Sequence, residues 1–194
     1  MSGRSRIFDE QDVISKATSV FWEKGYEATS TDDLQLAMGI GKGSFYNAFP
    51  GGKREIFGKA IDQFNQRGLQ SLRTQLAQSN KPVDVIRQFF RNIAKESKPV
   101  HMKGCFMGNT IAELSSIDHA LEHKAVKSLQ QLEALFQEVI REAQQKGDLS
   151  NDTPAPLLAR HLVNLWSGLG ITRRMYPNAA GLTGLIELNL KILQ

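Results

Sequence analysis

Apolar residues recur every three or four positions along almost the whole chain, and no stretch alternates long enough to suggest a strand. The pattern predicts an all-α protein of about nine helices. The first helix runs about Glu10–Lys24: Asp9 can cap it, Phe8 and Val13 have hydrophobic-staple spacing, and Val13, Ile14, Ala17, Val20 and Phe21 form its buried stripe. Ser30 can cap the second helix, with Asp33 at the reciprocal third position; Leu34, Ala37 and Met38 form its apolar face, and Gly39 ends it. A third, short helix covers about Lys42–Phe49, with Phe45 and Phe49 four apart on its inner side. The fourth spans about Lys53–Gln75. Pro82 opens the fifth, which Lys98-Pro99 ends, and the sixth covers about Cys105–Leu114. The long seventh runs about Asp118–Lys146 and stops at Gly147. Thr153 and Pro154 serve as cap and first residue of the eighth, which reaches about Arg174; Pro177 breaks the chain before the ninth, about Ala179–Leu193.

The second and third helices, joined by a tight turn at Gly39-Ile40, form a helix-turn-helix whose outer face shows Lys42, Ser44, Tyr46 and Asn47. Ser30/Thr31, Leu34, Gly39-Ile40, Lys42-Gly43-Ser44-Phe45-Tyr46, Phe49 and Lys53, with Gly25-Tyr26 upstream, resemble the TetR family of bacterial one-component repressors. The likeness is specific over about Val13–Phe57 and beyond that is one of layout. Three positions depart from the family pattern: Gln35 replaces a small apolar residue, Gly41 replaces the usual Ser/Thr cap, and Pro50-Gly51-Gly52-Lys53 is one residue longer than the usual spacer. The resemblance implies a DNA-binding domain over 1–52 and a ligand-binding and dimerisation domain over 53–194. Thr31, Tyr46 and Lys53 are then expected on phosphates, Lys42 and Asn47 on base edges, and Gly43 where backbone approaches the duplex. Ser30, Gly41 and Ser44 complete the DNA-facing set, and Arg4 and Arg6 can reach phosphate or a minor groove.

Composition changes this picture little. The 194 residues are 41% apolar, enough to build a buried core. The net charge is +4, but residues 1–54 hold seven cationic and seven acidic side chains, so phosphate attraction there depends on placement rather than bulk charge. No run of 18 apolar residues and no export signal is present, and the single Cys suits a reducing compartment; a cytoplasmic protein that does not bind membranes is expected.

The remaining chemistry is sparse. His119 and His123 have a metal-clamp spacing without a third ligand, no nucleophile–base pair or phosphate loop stands out, and neither metal, cofactor nor catalysis is expected. The resemblance implies an inducer pocket, with Phe64, Phe89, Phe90, Cys105, Phe106, Met107, Asn109, Ile111, Leu162 and Trp166 as its lining and Asn109 as a polar anchor; taken singly, each reads more readily as core. Gly168 and Gly170 inside the eighth helix, with Leu182, Leu185 and Ile186 on the ninth, suggest close helix approach in a homodimer, or simply closure of the monomer. Cys105 begins the sixth helix near Lys103 and His101, where a helix N-terminus favours a thiolate; it reads as an electrophile or redox sensor, or as a small buried thiol. Some relatives in the family carry a Gly-Cys pair followed by an apolar helix with Asn at this place. The expectation is a DNA-binding regulator, a repressor released from a palindromic operator by a small molecule or electrophile. Its rivals are a structural or partner-dependent DNA-binding protein without an inducer, and a helical enzyme using Cys105.

Overall fold

The computed structural model describes residues 8–177 and 179–194. Among them lie α1 (Glu10–Lys24), α2 (Thr31–Met38), α3 (Lys42–Ala48), α4 (Gly52–Ala77), α5 (Pro82–Ala94), α6 (Lys98–Lys103), α7 (Phe106–Leu114), α8 (His119–Lys146), α9 (Ala155–Met175) and α10 (Ala179–Leu190), closed by a 3-10 turn at Lys191–Leu193. The all-α class and most boundaries match the hydrophobic pattern. Arg4 and Arg6 lie outside the described residues.

Two sequence expectations change. Lys98-Pro99 does not merely end the fifth helix: α5 stops at Ala94, and Lys98 opens the extra short helix α6, with Pro99 in its first turn where no N–H is needed. Thr153 is not the cap of α9; Pro154 holds the cap position and supplies no side-chain hydrogen bond.

The chain divides into two compact units. One contains residues up to Gly68 together with Thr110–Ala125; the other contains Leu69–Asn109 and Val126–Gln194. In the first, α1 stacks on α2, and α3 is pinned by Phe45 and Phe49, both fully buried. Phe21 meets Phe57 edge-on at 4.7 Å between ring centroids, with Tyr26 4.8 Å from Phe57. These aromatic contacts bind α1 to α4 through burial and edge-to-face geometry together.

The second unit has its own core of Ile86, Phe90, Phe136, Ile140, Ala159, Leu162, Leu182 and Ile186, among others. Leu182 and Ile186, expected at a dimer surface, are fully buried in this core and offer nothing to a partner. Gly170 also turns inward: a Cβ there would stand 2.8 Å from the Cβ of Cys105, so this glycine exists for close approach within the chain. The periodicity was correct for these positions, but it cannot distinguish a stripe that meets its own core from one that meets another chain.

Candidate nucleic-acid interface

The geometry of the first unit begins with its caps. Ser30 Oγ accepts from Asp33 N at 3.0 Å, and Asp33 Oδ2 accepts from Ser30 N at 3.0 Å, completing a capping box. Lys24 Nζ donates to Asp33 Oδ1 at 2.7 Å. That bond, followed by those from Ser30, lowers the Asp33 carboxyl to about 2. Ser30 is therefore occupied as a cap. Gly39 ends α2 at φ 69°, ψ 30°, a left-handed turn that favours glycine, and its N–H reaches Gln35 and Leu36 carbonyls.

Beyond that turn, Gly41 opens α3 in extended conformation without a side-chain cap, as the departure from the family pattern led one to expect. The α3 helix buries Phe45 and leaves Lys42, Gly43, Ser44, Tyr46 and Asn47 exposed, with Tyr46 44% exposed. A helix of seven residues held by Phe45 and by Phe49 at its end, with its polar side outward, suits insertion into a groove better than packing in a bundle. Thr31 is half-buried at the start of α2, one residue after the cap.

Lys53 has a task that sequence did not reveal. Its ammonium donates to the Tyr26 carbonyl at 3.1 Å and lies 4.4 Å from the Tyr26 ring centroid. The same loop is met from α7: Glu113 accepts from Tyr26 N at 2.9 Å and from Glu27 N at 2.8 Å. Arg54 pairs in fork geometry with Asp118 at 2.6 and 3.1 Å. Each partner favours the other's charged form, so the carboxyl is held low and the guanidinium high. Glu113 and Asp118 carried no local signal, because their partners lie more than sixty residues away.

In the second unit the expected pocket residues are largely spent on packing. Phe89 lies 4.8 Å from Trp166 and 5.8 Å from Phe136, while Phe90 and Leu162 are fully buried. Phe106 and Met107 are buried and Asn109 half-buried; Ile111, also half-buried, belongs to the first unit. Phe64 belongs to the first unit, edge-on to Trp22 at 5.3 Å. The Asn109 amide donates to the Lys103 carbonyl at 2.9 Å, which reduces its freedom as an anchor. A different polar atom lacks a partner among the described residues: His161 Nε2 is buried on α9, beside Leu162 and five residues before Trp166. A cleft of about 330 Å³ opens between α5 and α8, lined by Lys81, Asp84, Arg87, Glu142, Lys146 and Asp148 among others, and by none of the expected pocket residues.

Cys105 immediately precedes α7. Its carbonyl accepts from Asn109 N at 2.9 Å and its Sγ from Gly108 N at 3.4 Å; the residue is 5% exposed. It packs closely on Gly170 of α9. Among the described residues no three His, Cys, Asp or Glu side chains gather as a metal site, and no helix is long and apolar enough to cross a membrane.

The acidic cap gives a pH expectation. Asp33 is depressed in the folded chain, so its contribution is present above its ordinary value of 3.8 and is lost as pH falls towards about 2. The thermal midpoint of Asp33→Asn should lie below that of the parent at neutral pH, and the gap should close as pH falls through that window. Ser30→Ala should cost about 1 kcal/mol at neutral pH in a urea titration.

Residues 13–60 match the family model for bacterial regulatory proteins of the tetR family, and residues 82–187 match that for the tetracyclin repressor-like C-terminal domain. The HTH-type transcriptional repressor ComR of Escherichia coli strain K12 is 31% identical, over 89% of this chain and 82% of the relative. The HTH-type transcriptional repressor DhaR of Mycobacterium sp. strain GP1 is 28% identical, over 87% and 83%. Among solved structures, a cysteine mutant of the TetR family regulator CifR in complex with 26-bp double-strand operator DNA superposes with a TM-score of 0.83 at 25% identity, covering 99% of this chain and 100% of the other. Reduced NemR of E. coli has the same fold, with a TM-score of 0.83 at 18% identity, covering 96% and 98%.

Proposed function

From a chain that belongs to the TetR family of DNA-binding transcriptional regulators, we propose a repressor that holds a palindromic operator as a symmetric dimer and releases it when a small molecule or an electrophile acts on its C-terminal half. The observation that carries the reading is α3: its aromatic side is locked in the core while Lys42, Gly43, Ser44, Tyr46 and Asn47 are left to solvent. Lys42 and Asn47 would read base edges, and Thr31 and Tyr46 would fix register on phosphates. Residues 1–52 would form the DNA-binding domain and 53–194 the ligand-binding and dimerisation domain.

Support for a dimer comes from an outward apolar face in the second unit. On α9 it includes Leu157, Gly168, Ile171 and Met175; on α10 it includes Gly184, Leu185 and Leu188. Ile171 is 65% exposed and Met175 64%, and nothing lies within 4 Å of a Cβ built at Gly168 or Gly184. Side chains at these positions cost solvation with no core to repay it, and the glycines permit close helix approach. Two-fold symmetry would require inverted half-sites.

Two features support a signal in the C-terminal half. The buried, unpartnered His161 Nε2 can bind a polar group of an otherwise apolar inducer. Cys105 is 5% exposed, so an oxygen or alkyl group added to its sulfur would have to displace the groups packed around it.

The test is recovery of bound fragments from the parent genome, followed by titration of one recovered duplex. Gly43→Ala should separate fold from function: nothing lies within 4 Å of a Cβ there, so the variant should gain about 0.5 kcal/mol of stability yet bind the duplex less tightly. A variant that binds as well as the parent would remove Gly43 from the interface. Release by peroxide or a quinone that persists in Cys105→Ser would remove the thiol as the sensor.

A further inference from the structure

The loop between α1 and α2 is held by two charged side chains acting on opposite groups. The carboxylate of Glu113, in the last turn of α7, accepts the N–H of Tyr26 at 2.9 Å through one oxygen and that of Glu27 at 2.8 Å through the other. Lys53 takes the Tyr26 carbonyl at 3.1 Å and leans over the Tyr26 ring. Gly25 makes room for this: a Cβ there would stand 3.0 Å from both Glu113 oxygens. The adjoining Thr29 and Ser30 lead directly into the cap of α2, so the loop determines where α2, and α3 after it, stand against α1. Residues 110–125 belong to the same compact unit as residues up to Gly68, although they lie far along the chain. Charge-assisted bonds to backbone N–H groups are among the stronger ones a loop can receive, and two on one carboxylate also fix its orientation.

We propose that Glu113 is a positioning residue for operator binding: its carboxylate holds the Gly25–Glu27 loop, and through it the helix-turn-helix, in the placement that fits DNA. Glu113 need not touch DNA to do this. The inference rests on the DNA-binding reading above, and the experiment keeps the two apart.

Full-length Glu113→Ala and Glu113→Gln are compared with the parent by amide hydrogen exchange without DNA, and by titration of a labelled genomic duplex that the parent has recovered, at several salt concentrations. In Glu113→Ala, exchange at Tyr26 and Glu27 should speed up by about tenfold or more as two charged acceptors are lost. Affinity for the duplex should fall by about tenfold, with the slope of log affinity against log salt unchanged, because no phosphate contact is removed. Glu113→Gln keeps one acceptor of the same shape and should fall between parent and Ala; it also decides the matter if the Ala variant does not fold. Unchanged exchange at Tyr26 and Glu27, affinity within twofold of the parent, or a Gln variant weaker than Ala would each overturn the role of Glu113. A parent that recovers no duplex would instead overturn the DNA-binding reading, before any variant is made.

Discussion

Gly104→Ala should destabilise this protein more than any conservative change at its surface. Gly104 follows α6 at φ 69°, ψ −158°, a region that L side chains rarely adopt. An added Cβ would stand 2.8 Å from the Gly170 carbonyl oxygen and 2.8 Å from the Arg174 guanidinium. Arg174 can swing away, but the backbone of α9 cannot. The Gly104 carbonyl also accepts from Arg173, which is 3% exposed and paired with Glu96 at 2.7 Å. Burial draws the Arg173 guanidinium below its ordinary value while Glu96 opposes that shift. Any displacement of Gly104 therefore disturbs a buried charge as well as a tight turn. Backbone strain of about 1–3 kcal/mol and overpacking of about the same size combine to an expected loss of about 4 kcal/mol, a large part of the 5–15 kcal/mol typical of a domain. Urea unfolding of the purified variant measures it; a midpoint equal to that of the parent would show that α6 and α9 do not meet at this place.

Ile171→Asp should leave the monomer folded and abolish the proposed dimer. Ile171 is 65% exposed within one chain, so a carboxylate there costs the monomer little. In the proposed dimer of α9 and α10 the same carboxylate would be taken out of water without a charged partner. Light scattering should report the monomer mass. Affinity for a two-half-site operator should fall by a factor on the order of 100 or more, because each chain would then bind alone. Gly168→Leu, at a position with nothing within 4 Å, should act in the same direction through steric bulk rather than charge. A dimer that survives both substitutions would move the interface elsewhere.

The contrast between these two sites shows what could be read in the chain. Local signals specified the head of the molecule almost residue by residue. Asp9 and Ser30 cap, Gly39 turns, and Phe45 and Phe49 anchor α3, because capping and turn chemistry act over three or four residues and need no knowledge of distant chain. The outward set on α3 followed from the same spacing.

The other assignments depended on partners far away in sequence. Glu113 was an ordinary helical glutamate until α7 brought it to Tyr26 and Glu27. Lys53, expected on a phosphate, also bonds the Tyr26 carbonyl, twenty-seven residues away, which no local pattern records. Gly168 and Gly170, two residues apart on one helix, looked alike in sequence; α9 turns one to solvent and presses the other on Cys105. Leu182 and Leu185 divide in the same way, one fully buried and the other exposed. The sequence by itself determined the first three helices, their caps and the outward face of α3, since each is fixed by neighbours within a turn or two. Tertiary structure alone decided which apolar stripe meets its own core, which is left exposed, and which carboxylate reaches the loop between α1 and α2, since each depends on contacts between segments that no periodicity records.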